Sequence, residues 1–130
     1  MFPRFPMRSL ILAALLALLP FHAFAFCDDW TRENTVLEAS FQGLTLIDWG
    51  QTLNVVSNPN LAEANPILGP HPSRERINTL IPLGMAAHAA LSCLLPAGPW
   101  REAWQVISAA LEFSAVGNNA TLGVSIRFPF

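Results

Sequence analysis

The chain is expected to be all-α, a polytopic transmembrane helix bundle of three helices after an N-terminal signal peptide or a fourth helix. Three observations lead there. Of 130 residues, 52% are hydrophobic and 12% are charged, with a mean hydropathy of +0.40, about half the charge expected of a soluble domain. The missing charge is concentrated: 36–57, 77–98 and 103–126 hold only Glu38, Asp48 and Glu112 as charged residues. Finally, three apolar stretches each carry one ionisable residue near the middle: Asp48, His88 and Glu112. A charge at mid-bilayer depth costs about 2.5–3.5 kcal/mol on insertion scales, so these side chains are expected to turn toward one another at a shared level.

The N-terminus has the order of an export signal. Arg4 and Arg8 precede the apolar run Leu10–Leu19, Pro20 breaks it, and Ala23-Phe24-Ala25 supplies a small-x-small cleavage pattern. Residues 1–25 are therefore read as a signal peptide. An uncleaved first helix is the alternative, since 8–26 is just long enough to span. Either way residue 26 lies outside the cytoplasm. Phe26 before Cys27 is too bulky for a lipobox.

The mature part, 26–130, is a single helical domain with helices expected at about 37–57, 77–96 and 102–122. Each has roughly 20 residues, enough for about 30 Å of hydrocarbon. Small residues such as Gly43, Gly50, Gly84, Ala109 and Gly117 suit close packing in lipid. With residue 26 outside, Arg4, Arg8, Arg74, Arg76 and Arg127 fall on the inner side and Arg32 and Arg101 on the outer. Five against two follows the positive-inside bias. Trp30, Trp100 and Trp104 are then placed at the outer interface. The expected location is the inner (cytoplasmic) membrane of a bacterium, multi-pass, with residue 26 periplasmic.

One segment points elsewhere. Residues 122–130 alternate apolar and polar and end in Phe130, like the closing strand of an outer-membrane barrel. Such a barrel needs at least eight alternating strands, 77–96 has no alternation, and Pro129 suits a strand poorly.

Residues 58–76 form the one long loop, stiffened by Asn58-Pro59, Asn65-Pro66, Gly69-Pro70 and His71-Pro72. Ser73 is a candidate N-cap for the next helix. Cys27 and Cys93 fall on the same oxidising side, where a disulfide would persist; two unpaired thiols are the alternative.

Polar residues recur at helical spacing. Thr45, Asp48 and Thr52 share a face with Gln51 adjacent; Asn78, His88 and Ser92 share another; Gln105, Ser108, Glu112 and Asn119 make a third, with Asn118 alongside. Asp48, Gln51, Thr52, His88, Glu112 and Asn119 are the expected intramembrane cluster. Its groups serve either as interhelical hydrogen-bonding glue, at about 0.6 kcal/mol per bond, or as a proton or ion relay or buried catalytic carboxylates. No G-x-S-x-G, H-E-x-x-H, Walker or C-x-x-C motif occurs. Catalytic residues cannot be named, and an enzyme is less expected than a non-enzyme. His71, Glu63 and Glu75 are metal ligands by residue type alone, scattered along a loop, so neither metal nor cofactor is expected. All seven basic residues are Arg and form no nucleic-acid patch.

The run Asp48-Trp49-Gly50-Gln51-Thr52, followed by Glu63-Ala64-Asn65-Pro66-Ile67-Leu68-Gly69, resembles a family of small bacterial and phage integral membrane proteins of unassigned activity. These carry D-x-x-Q-T or D-x-x-T-T in one helix and E-x-N-P in the loop after it. The likeness covers about 40–123, with Arg101 and Asn119…Gly123 as its later part. It implies a multi-helix inner-membrane protein and a characteristic cluster of Asp48, Thr52, Glu63, Asn65 and Pro66. For that cluster to meet, the Pro-rich loop must fold back and bring Asn65 up to Thr52 or Gln51. The expected role is a structural or interaction component partnered by the lipid bilayer, by itself or by a larger membrane complex. A minimal proton or ion conduit, or a membrane-embedded enzyme using Asp48, His88 and Glu112, is the alternative.

Overall fold

The computed structural model describes residues 27–127; the expected signal peptide, 1–25, lies outside them. The described residues form three α-helices and no strand: α1 (Arg32–Val55), α2 (Arg74–Leu94) and α3 (Pro99–Thr121). The barrel alternative has no support there. Residues 124–127 have no regular secondary structure.

Each helix starts three to five residues earlier than the apolar pattern predicts, because capping residues, not hydropathy, fix the starts. Thr31 and Asn34 form a capping box: Asn34 N–H donates to Thr31 Oγ1 at 3.1 Å, and Thr31 N–H donates to Asn34 Oδ1 at 3.1 Å. Ser73 caps α2 as expected, its Oγ accepting from Arg76 N–H at 3.1 Å. In α3 the N-cap is Gly98, and Pro99 occupies the first helical position, where a missing N–H costs nothing. α3 ends in a Schellman turn. Gly123, at φ 74°, donates to the Ala120 carbonyl, and buried Val124 donates to Asn119.

α1 packs most extensively on α3 and less on α2, while α2 and α3 touch little. Hydrogen bonds set the register. α1 and α3 run parallel, bonded residues differing by 65–71 positions. α2 runs antiparallel to α1, pairing His88 with Glu38, Met85 with Gln42 and Asn78 with Trp49.

The apolar core is small and lies at the loop end. Leu53, Leu68 and Ile77 are buried there, with Trp49, Val56, Leu80 and Ile81 packed around them. Leu68 belongs to the long loop, which therefore does fold back onto α1. The chain after α3 returns along α1 as well. Arg127 N–H donates to the Gly50 carbonyl at 2.8 Å, Asn54 donates to Ser125, and a Cβ at position 50 would collide with Ile126. Gly50 is thus a point of close approach rather than generic helix-packing filler.

The opposite end is clamped. Cys27 and Cys93 form a disulfide with Cα atoms 5.1 Å apart. Arg101, counted from sequence as an outer-surface charge, is 1% exposed. Its guanidinium donates to the carbonyls of Asp28 (3.0 Å), Cys93 (3.4 Å) and Leu95 (2.7 Å) and lies 5.4 Å from the Trp30 ring centroid. It thereby satisfies carbonyls at the C-terminus of α2, where the helix dipole favours a cation. Because the disulfide closes a separation of 66 residues, the chain-entropy argument sets an upper bound of about 4 kcal/mol on its contribution. Non-reducing electrophoresis is expected to show faster migration than reducing electrophoresis. The Cys27→Ser/Cys93→Ser variant is expected to lower the thermal midpoint, as followed by circular dichroism.

Candidate functional site

The interior is mostly polar, and its polar groups fall into two clusters rather than one level. The expected meeting of Asp48, His88 and Glu112 does not form. His88 instead pairs with Glu38, ten residues before Asp48 on α1 and about 15 Å away along the axis.

The first cluster is built around the fully buried Glu38 carboxylate. Its Oε1 accepts from His88 Nδ1 at 3.0 Å and Gln42 Nε2 at 2.8 Å; its Oε2 accepts from Ser92 Oγ at 2.8 Å and Gln105 Nε2 at 3.2 Å. Four donors around two oxygens match an ionised carboxylate, which only accepts. The helices position these donors by their spacing. His88 and Ser92 are one turn apart on α2, so both reach the same carboxylate. Gln105 also bonds Asn34, whose backbone belongs to the capping box. The network therefore joins all three helices to the start of α1. The His88 ring is stacked between Phe41, at 3.6 Å between centroids, and Trp104, at 4.8 Å. Trp104, expected at an interface, is half-buried and donates to Ser92 Oγ at 3.1 Å.

Serine, histidine and a carboxylate in contact suggest a nucleophile, and the geometry argues against one. Ser92 donates to Glu38, and it approaches His88 at Nδ1, 3.5 Å away, on the same flank as the carboxylate. Activation requires the serine and the carboxylate on different ring nitrogens. This arrangement holds helices together.

The second cluster lies toward the loop. Asn119 donates to Asp48 at 3.1 Å and to Gln51 at 3.2 Å, and Gln51 donates to the Val116 carbonyl at 3.3 Å. Thr52 donates to Glu63 at 3.1 Å. Glu63 also accepts from Asn65 N–H at 2.8 Å, and Asn65 Oδ1 accepts from Ile67 N–H at 3.0 Å in an Asx turn. The fold-back thus brings Glu63 to Thr52, not Asn65; Asn65 and Pro66 remain exposed and shape the loop. Asn78, expected beside His88 and Ser92, instead accepts from the Trp49 indole at 2.9 Å. Glu112 sits on the α3 face that carries Gln105 and Asn119, in electrostatic range of Asp48, and its Oε2 is buried without a hydrogen-bond partner.

Among the described residues no group of three or more His, Cys, Asp or Glu side chains is arranged to hold a metal. His71, Glu63 and Glu75 do not converge. A polar hollow of about 290 Å³, lined by Asn54, Ser57, Asn58, Pro59 and Arg127, lies at the C-terminal end of α1, apart from the Glu38 cluster.

Glu38, Asn34, Gln42 and Trp104 carry the best-connected part of the site, and sequence reasoning left them out of it. Glu38 falls near the edge of its apolar stretch and reads as a flanking charge. The signal that could find it is the spacing Asn34, Glu38, Phe41, Thr45, which continues the Asp48 face toward the N-terminus.

Removing Glu38 takes an acceptor from four side chains at once. Glu38→Ala is expected to cost about 3–5 kcal/mol, the range for breaking a buried ionic network on one side, with Glu38→Gln milder because it keeps one acceptor. Ser92→Ala, which deletes a single bond, is expected to cost about 1 kcal/mol. Chemical or thermal unfolding of the three variants checks the order.

No family model, curated protein or solved structure matches the chain, so its functional reading rests on this geometry.

Proposed function

We propose that the protein is a small integral membrane protein, its three helices each crossing the bacterial inner membrane, that acts as a structural or interaction component rather than an enzyme. The observation that carries this reading is the inverted distribution of polarity. Asn34, Glu38, Gln51, Thr52, His88, Ser92, Arg101 and Gln105 are buried, while large apolar side chains face outward. Leu94 is 81% exposed, Phe113 69%, Leu111 67% and Leu83 61%. Water would penalise that exterior at about 25 cal/mol per Å² of apolar surface, whereas lipid does not, and monomeric soluble proteins rarely carry apolar patches of such extent.

Among the described residues, one helix, α2, is long and apolar enough to cross a membrane by itself, with a mean hydropathy of 1.4 and 17% of that stretch buried. In this reading α1 and α3 cross beside it because their polar side chains bond one another. The arginine distribution and the Cys27–Cys93 disulfide support a periplasmic placement of the clamped end. The resemblance to small bacterial and phage membrane proteins fits the same picture, since Asp48, Thr52 and Glu63 lie in one linked region. The exposed apolar faces of α2 and α3 would meet lipid, a second copy or a larger membrane complex.

Alkaline carbonate extraction of membranes from cells expressing the full chain tests this reading. The protein is expected to stay with the membrane pellet, and its release into the supernatant would overturn the proposal.

A further inference from the structure

The chain after α3 does more than return to α1: it builds one wall of a polar hollow. Arg127 N–H donates to the Gly50 carbonyl at 2.8 Å, and Asn54 Nδ2 donates to Ser125 Oγ at 2.9 Å. Ile126 sits where a Cβ on Gly50 would be. These contacts fix the backbone of Arg127 beside the last turns of α1. The hollow there, about 290 Å³, is lined by Asn54, Ser57, Asn58, Pro59 and Arg127. That volume is close to the lower end for small-molecule sites, about 300 Å³.

The lining residues divide into donors and acceptors. Arg127 is the one charged residue in the lining, and among the described residues its guanidinium makes no hydrogen bond or ion pair. Asn58 Oδ1 accepts from Asn60 N–H at 3.0 Å, which leaves Asn58 Nδ2 to donate. Asn54 uses its Nδ2 on Ser125, and Ser57 uses its hydroxyl hydrogen on the Leu53 carbonyl at 2.8 Å. What those two residues keep is acceptor oxygens. A helix C-terminus ordinarily disfavours an anion. Here the carbonyls of Leu53, Asn54 and Val55 already accept from Ser57 Oγ, Ser57 N–H and Asn58 N–H, which blunts that effect.

We propose that this hollow is a binding site for an anionic phosphate that carries a small hydroxylated group, as a glycerol phosphate does. Arg127 holds the phosphate, its planar fork presenting parallel N–H donors to two of the oxygens. Asn58 Nδ2 donates to the same group. Hydroxyls of the ligand donate to Asn54 Oδ1 and Ser57 Oγ, the two acceptors left in the lining. The headgroup of an anionic lipid and a water-borne phosphate ester share this chemistry. The hollow lies where α1 gives way to the loop, at the end that also carries Arg74 and Arg76. A lipid source rests on the proposed membrane placement, which sets this level among anionic headgroups; the site itself does not.

Binding to the full-length protein in non-ionic detergent tests the site, with glycerol phosphate and phosphatidylglycerol as probes and phosphatidylcholine as the comparison. Calorimetric titration with glycerol phosphate is expected to saturate. Arg127→Gln is expected to weaken binding about tenfold or more, the scale of lost charge-assisted hydrogen bonds. Arg32→Gln, which alters an exposed arginine at the other end of α1, is expected to leave it unchanged. Gly50→Ala pushes the returning segment off α1 and is expected to weaken binding in a protein that remains helical by circular dichroism. No saturable binding of either probe by the unsubstituted protein would overturn the proposal, and so would equal binding by the Arg127→Gln protein. Phosphatidylglycerol retained in preference to phosphatidylcholine in native mass spectrometry, and lost in Arg127→Gln, supports the site with lipid as its ligand. Glycerol phosphate binding without that preference supports the site with a water-borne ligand. Release by alkaline carbonate would overturn the membrane reading and the lipid source, while the titration still decides the site.

Discussion

The burial of the Glu38 carboxylate is the constraint around which the bundle is organised. A carboxylate fully removed from water is tolerable only when donors replace its hydration. Here those donors come from every helix: Gln42 on α1, His88 and Ser92 on α2, Gln105 on α3. The interaction is directional, so it specifies rotation and register as well as proximity. Ser92 and His88 can both reach Glu38 only with α2 antiparallel and turned to that face, and Gln105 can do so only with α3 parallel at its observed offset. An apolar core of Leu53, Leu68 and Ile77 would not by itself impose that precision.

The two ends are secured by different means. At one end Arg101 converts carbonyls from the N-terminal segment and the close of α2 into ligands of a single cation, with the disulfide beside it. At the other, the loop and the chain after α3 return to α1 through Glu63, Leu68 and Arg127. Between them the helices meet largely through side-chain hydrogen bonds. In the proposed membrane setting such bonds are a natural means of association, since apolar burial would provide little drive between helices solvated by hydrocarbon.

Composition and spacing made the helical class legible, along with three helices, the Ser73 cap and a pairing of the two cysteines as one of two options. They also found the face carrying Asp48, Gln51 and Asn119, which do bond one another. The level at which His88 sits was not legible. Depth along an apolar stretch was measured from its centre, whereas the helices extend further at their N-termini through caps that hydropathy does not register. That moved His88 from Asp48 to Glu38. Arg101 read as a surface charge because sequence shows its sign but not the carbonyls converging on it. The Glu63–Thr52 bond was missed for a related reason: Asn65 was the expected contact, but its side chain is engaged in closing its own turn.

The disulfide has a consequence for biogenesis. Cys27 is synthesised 66 residues before its partner, so it must wait in reduced form while α1, the loop and nearly all of α2 are made. During that interval the thiol is open to capture by any neighbouring cysteine. Closure is consequently late: it requires that the segment before α1 and the end of α2 have already come together.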